Sequence, residues 1–310
     1  MPARTKIITS IVTVLLIFAL AIARPWEYGL AALCPASETE DFARTLKDGL
    51  AAYESDDYAK ARRLLMPLAR RHDASALNVI GDMYRDGKGV AKSPRIAHIY
   101  TREAAFRGSA ESQYKLSFSQ SPVYDRLPAD PYKQKHWLHE AAKQGYDEAQ
   151  LDLSRMYSSL EENVLALYWL RKAAEQGHTY AQLELAEKYS KGDGELQDAA
   201  MAAKWYSKAA NGGLDDPAIT AQAHLGLLYE EGTGVPKDYV LAHMWYNLAA
   251  DGGNYYAVDM LRDRDRVAAK MTPAQIAEAL RLWSEWKPEI EYNQNKEEPK
   301  PNIFLRLCML

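Results

Sequence analysis

At 310 residues the chain is long enough for about two domains. Its formal net charge is −4, and its charged residues, 26% of the whole, mix both signs throughout, which leaves no footprint for a nucleic acid.

Residues 1–24 read as a signal peptide or signal anchor. Arg4 and Lys6 precede an uncharged run of seventeen residues, Ile7 to Ala23, and Arg24-Pro25 follow at once. Ala21-Ile22-Ala23 offers an A-x-A cleavage site. A run of this length also reaches the lower limit for spanning a bilayer, so cleavage after Ala23 and retention as an anchor both stay open. The positive charge ahead of the run places the body in the cell envelope, on the periplasmic side of the inner membrane. Residues 38–72 predict an N-terminal capping helix pair. One stripe is Phe42, Leu46, Leu50 and Tyr53; the other is Tyr58, Ala61, Leu64, Leu65 and Leu68.

From 73 to 253 one pattern recurs. A double alanine stands at Ala104-Ala105, Ala141-Ala142, Ala173-Ala174, Ala209-Ala210 and Ala249-Ala250, at spacings of 37, 32, 36 and 40 residues. Four positions before each pair stands an aromatic ring: Tyr100, Trp137, Trp169, Trp205 and Trp245. Shortly after it comes a glycine: Gly108, Gly145, Gly177, Gly212 and Gly252. A first helix repeats as well, with Ala76 to Tyr84, Ala149 to Tyr157, Ala181 to Tyr189 and Ala221 to Tyr229. The second unit places Ser112 and Gln120 there instead. Two helices per period of this length mean a helical solenoid, in which no unit buries its face alone. The tryptophans are expected to fill the space between successive pairs. Residues 254–290 predict a C-terminal capping pair, opened by the capping box Thr272-Pro273-Ala274-Gln275. Residues 291–310 read as a flexible linker and an apolar tail, IFLRLCML.

The segment GVPKDY-x5-WY-x2-AA, from Gly234 to Ala250 with Gly252 behind it, resembles the Sel1-like repeat, a relative of the tetratricopeptide repeat. The resemblance covers roughly 73–288. It implies an all-α fold, a right-handed α/α solenoid of about five helix-pair repeats with N- and C-terminal capping helices, acting as an adaptor for other proteins. It implies no catalytic residue.

Other motifs carry no chemistry. Ser112 and Lys115 fit S-x-x-K, but the repeat register explains Ser112 as the small residue, and no S-D-N or K-T-G accompanies it. His136 and His139 meet neither zinc-protease spacing. The Gly-x-Gly turns lie between helices rather than after a strand, so they are not phosphate cradles. No G-x-S-x-G or C-x-x-C occurs. No catalytic residue, cofactor or metal is therefore expected. Cys34 and Cys308 lie outside the repeats, and whether they pair stays open.

Counted from the anchor alanine of each first helix, positions three and six vary while the apolar register holds. They are Val79 and Asp82, Lys115 and Phe118, Asp152 and Arg155, Glu184 and Glu187, His224 and Leu227. In tetratricopeptide-like superhelices first helices line the inner surface, so these residues are the candidate partner-binding stripe. Its mixed charge suits a protein or peptide partner better than a polyanion. The expected role is an exported protein-binding scaffold of the bacterial envelope, an assembly factor or a regulator of a membrane system. The alternative is an enzyme, or an enzyme inhibitor, acting on cell-wall or exopolysaccharide material.

Overall fold

A computed structural model describes residues 36–118, 131–192, 197–213, 215–252 and 257–288. The export segment, Cys34, Cys308 and the 291–310 tail lie outside the described residues. Among the described residues the fold is all-α, a solenoid of fourteen helices with no strand. None of these helices is long and apolar enough to cross a membrane. The chain divides into two compact units at Trp137 and Leu138.

The first unit holds α1 (Ala36–Glu54), α2 (Tyr58–Arg70), α3 (Ala74–Asp86), α4 (Pro94–Phe106), α5 (Ala110–Ser117) and the first half of α6 (Pro131–Lys143). Each helix from α1 to α5 packs on the next, and α1 also reaches α3. Phe42, Leu46, Leu65, Leu77, Ile80 and Met83 make its core. The second unit holds the rest of α6, α7 (Asp147–Ser159), α8 (Asn163–Glu175), α9 (Thr179–Lys191), α10 (Ala199–Asn211), α11 (Asp216–Glu231), α12 (Tyr239–Asp251), α13 (Ala257–Ala268) and α14 (Pro273–Glu285). Here too successive helices pack from α7 to α13, and α14 closes on α12.

Helix starts follow from capping. Asp73, Ser93, Ser109, Asp198, Asp215 and Thr272 each accept the backbone N–H three residues on, and Thr272 completes its box with Gln275. At α9 the cap is His178, whose Nδ1 accepts from Ala181 at 3.4 Å. That role needs the neutral ring, and burial lowers the imidazole pKa accordingly.

The double alanine and its glycine prove to be a joint. Gly108, Gly145 and Gly177 turn left-handed, at φ of 94°, 93° and 93°, which only glycine does at no steric cost. The next N–H then reaches back five residues: Ser109 to Ala104 O at 2.9 Å, Tyr146 to Ala141 O and His178 to Ala173 O at 3.2 Å. The second alanine's carbonyl receives a buried glutamine from the following helix. Gln113 donates to Ala105 O at 3.1 Å, Gln150 to Ala142 O at 3.0 Å, Gln182 to Ala174 O at 3.2 Å and Gln222 to Ala210 O at 3.1 Å. Last-turn carbonyls without an intrahelical partner are thereby satisfied out of water.

The tryptophan expectation needs correction. Trp205 and Trp245 are buried, but Trp137 and Trp169 are only half-buried. Trp245 has Trp286 across it at 6.4 Å, and Lys208 covers the Trp205 ring at 4.7 Å. Trp169 has the edges of His139 and Tyr168 against it. The deepest aromatic side chains are instead the tyrosines that follow, Tyr206 and Tyr246. Gly226 makes room for the latter, since a Cβ there would stand 2.6 Å from the Tyr246 ring.

The Tyr246 hydroxyl donates to Glu230 at 3.2 Å. Arg266 reaches the same carboxylate at 2.6 Å and 3.2 Å, and Lys270 at 3.1 Å. The Arg266 hydrogen bonds, then those from Lys270 and Tyr246, hold the Glu230 carboxyl at about 2 against an ordinary 4.5. A depressed carboxyl stabilises the fold above its unfolded value and loses that contribution as pH falls through the folded one. Glu230→Gln is therefore expected to cost about 2–3 kcal/mol at neutral pH. Its deficit against wild type should shrink between about pH 4.5 and pH 2. Denaturant midpoints across that range check this; a deficit independent of pH would rule Glu230 out as the titrating group.

Candidate partner-binding surface

In the second unit, α7, α9 and α11 are first helices, and their apolar sides are spent on the core. Leu151, Leu153, Leu183, Leu185 and Leu225 all point inward. What remains outward is polar. Arg155 on α7 is half-exposed and donates through Nε to Glu184 on α9 at 2.9 Å, with its Nη2 on the same oxygen. Asp152 lies 3.8 Å from the Arg155 guanidinium. Glu187 pairs with Lys191 one turn on, at 2.8 Å. Between α7 and α9 these side chains border an open depression of about 190 Å³, lined by Ser154, Arg155, Ser158, Glu184, Glu187, Lys188 and Lys191.

The charges in this depression do not cancel. It holds three cations and two carboxylates, and the carboxylates are taken by Arg155 and Lys191. Lys188 has no ionic partner among the described residues. Ser154 is committed to the Ala166 carbonyl at 2.8 Å, which leaves the exposed Ser158 hydroxyl beside Lys188. On α11, His224 stacks on Tyr206 with centroids 4.7 Å apart. Burial lowers its pKa, against the pull of Glu187, so the ring is neutral near pH 7. Leu227 is 40% exposed one turn further along.

The first unit treats the corresponding positions differently. Val79 and Asp82 are buried rather than groove-lining, because α1 covers this face of α3 and Val79 joins its core. Asp82 is held by Lys115 at 2.7 Å and Arg85 at 2.6 Å. Lys115 is spent in the same network, donating also to Asn78 at 2.9 Å and pairing with Glu111 at 2.7 Å. Phe118 is half-exposed, edge-on to Tyr114. The structure thus brings Arg155, Glu184 and Glu187 around one depression, with Asp152 behind Arg155, while Lys115 serves as an internal tie.

Comparison with known proteins fits this geometry. The Sel1 repeat family matches five times, at 74–109, 110–146, 147–178, 179–214 and 219–254. The chain belongs to the Sel1 repeat family. A Sel1 repeat protein from Oxalobacter formigenes has a similar solved structure, 25% identical, with TM-score 0.61, covering 77% of this chain and 98% of that one. Also similar is c5321, a protective antigen of uropathogenic Escherichia coli with the SLR fold. It is 24% identical at TM-score 0.49, covering 84% of this chain and 62% of that one. Comparison with curated proteins gives no match.

Within the Sel1 repeats the motifs set aside on sequence have structural occupations. Ser112 is wholly buried and donates to Asn78 at 2.8 Å. His139 meets the Tyr157 hydroxyl at 2.7 Å, while His136 leans on Trp137. No group of three or more His, Cys, Asp or Glu side chains is placed to hold a metal ion among the described residues. Lys188 and Ser158, with Ser154 and Lys191, are lining residues that the sequence stripe misses. Lys188 lies four positions beyond Glu184, so counting one turn past each stripe position would have found it.

Proposed function

We propose that this chain is an exported protein-binding scaffold of the bacterial cell envelope, which seats a partner protein or peptide on the first-helix face of its third to fifth Sel1 repeats. Sel1 repeat proteins are generally protein-binding scaffolds. The observation that carries the site is the depression between α7 and α9, where Lys188 and the Ser158 hydroxyl are left over after the neighbouring charges pair. Such a surface accepts a partner carboxylate beside interspersed charges, with main-chain groups meeting the paired Arg155 and Glu184. The export reading rests on Arg4 and Lys6 ahead of Ile7–Ala23.

Site-specific photo-crosslinking in the native cell tests this. A photoreactive residue at Ser158 or Lys188 should give the same adduct, recovered with the envelope fraction. One at Lys172, exposed on the second helix α8, should give none. Equal labelling from Lys172, or adducts only with cytosolic proteins, would contradict the proposal.

A further inference from the structure

The second helices of the first unit carry a surface independent of that groove. On α2, Ala61, Leu65, Leu68 and Ala69 are buried, and Lys60, Arg63 and Arg70 stand on the opposite face, with Arg62 beside them. On α4, Ala97, Ala104 and Ala105 are buried, and Arg95, Ile99, Arg102 and Phe106 form the opposite face at spacings of 4, 3 and 4 residues. The two helices are neighbours, since Tyr100 meets Met66 at 3.7 Å and His72 meets Glu103 at 3.1 Å.

Charge on this face is one-sided. Residues 58–70 contain no acid, and the single acid of α4, Glu103, is taken by Arg107 and His72. Lys60, Arg62, Arg63, Arg70, Arg95 and Arg102 are all exposed, and none has an ionic partner among the described residues. Six uncompensated cations stand out in a chain whose net charge is −4. Between them stand two large exposed apolar side chains, Ile99 at 52% and Phe106 at 67% exposure, the latter with one side of its ring edge-to-face with Trp137 at 5.1 Å.

We propose that this face of α2 and α4 docks on an anionic lipid surface. Clustered basic side chains are drawn to phosphate headgroups, and projecting aliphatic and aromatic groups between them enter the boundary of the acyl chains. A nucleic-acid duplex would answer the cations but, with its bases stacked inside, leave Ile99 and Phe106 without a counterpart. An acidic peptide would seat in a concavity, whereas these two side chains lie on the outermost line of their helix, opposite its buried alanines.

The test uses the full chain with Cys34→Ser and Cys308→Ser, and an environment-sensitive fluorophore on Ile96→Cys at the rim of the face. The local probe separates this contact from any affinity of the N-terminal apolar run. Emission should shift to the blue with vesicles containing phosphatidylglycerol, not with phosphatidylcholine alone, and high salt should reverse it. Arg63→Glu with Arg70→Glu should weaken binding about tenfold or more. Ile99→Ser with Phe106→Ser should weaken it as well, and Arg95→Gln with Arg102→Gln is the milder control; melting curves should stay unchanged throughout. An equal shift on phosphatidylcholine would overturn the proposal. So would an undiminished response in the charge-reversed variant, or a response to polyglutamate or duplex DNA with none to the anionic vesicles.

Discussion

Trp245→Ala is expected to destabilise the protein by about 3–5 kcal/mol, as a large truncation in a site that cannot collapse. The ring is 8% exposed, within the core shared by α7 to α12, and Trp283 and Trp286 of the C-terminal cap pack against the same cluster. Removing it opens a void and also loosens what holds α14 in place. In a repeat protein stability sums over units and their interfaces, so the loss should concentrate at the C-terminal end. Hydrogen exchange should show α12 and α14 losing protection while α2 and α3 keep theirs. Trp169→Ala, at a half-buried ring, should cost roughly half as much. Equal losses at the two positions would mean that the repeats do not differ in packing as described.

Gly234→Ala should be the most damaging single-methyl change, at about 3 kcal/mol or more. Gly234 sits at φ 73°, and an added Cβ would stand 2.1 Å from the Ala199 carbonyl oxygen and 2.3 Å from its carbon. Those neighbours are backbone, so no rotamer relieves the clash. The turn of the fifth repeat must therefore lift off the start of α10. Gly108 is the matched control: its φ is 94°, but nothing lies within 4 Å of the added methyl. Gly108→Ala should show only the left-handed backbone penalty, about 1–2 kcal/mol. Denaturant midpoints of the two variants, with proteolysis at 232–238 as a local probe, check the difference. Equal midpoints would show that the close approach at Gly234 carries no energy.

Much of this architecture was legible because two devices repeat in the sequence, the small-residue register and the glycine that ends each pair. The glutamines stand in the same register, but nothing in the sequence marks what they do. Gln113, Gln150, Gln182 and Gln222 each follow the anchor residue Ser112, Ala149, Ala181 or Ala221, and their purpose appears only once a carbonyl of the preceding helix stands opposite. For the tryptophans, neither ring size nor repeat position fixes burial: Trp205 and Trp245 are buried, Trp137 and Trp169 at the same position are half-buried, and Tyr206 and Tyr246 lie deeper than any of them.

The candidate stripe shows the same limit. Positions three and six share a helix face by their spacing, but what covers that face depends on neighbouring helices. In the first unit α1 lies over Val79, and Asp82 and Lys115 neutralise one another. In the second unit the face stays open, and Arg155 meets Glu184, a pairing set by the axial offset of two helices that no spacing within either one reveals.

The affinity of the crosslinked partner for a charge-reversed groove tests the central claim most directly. Arg155→Glu with Glu187→Lys reverses the outward charges of α7 and α9 at exposed pairs, which should leave stability within about 1 kcal/mol of wild type. Titration calorimetry with the purified partner should then show binding weakened at least about tenfold, with an unchanged melting curve. Wild-type affinity in that variant would contradict the assignment of the first-helix face of repeats three to five as the partner-binding surface.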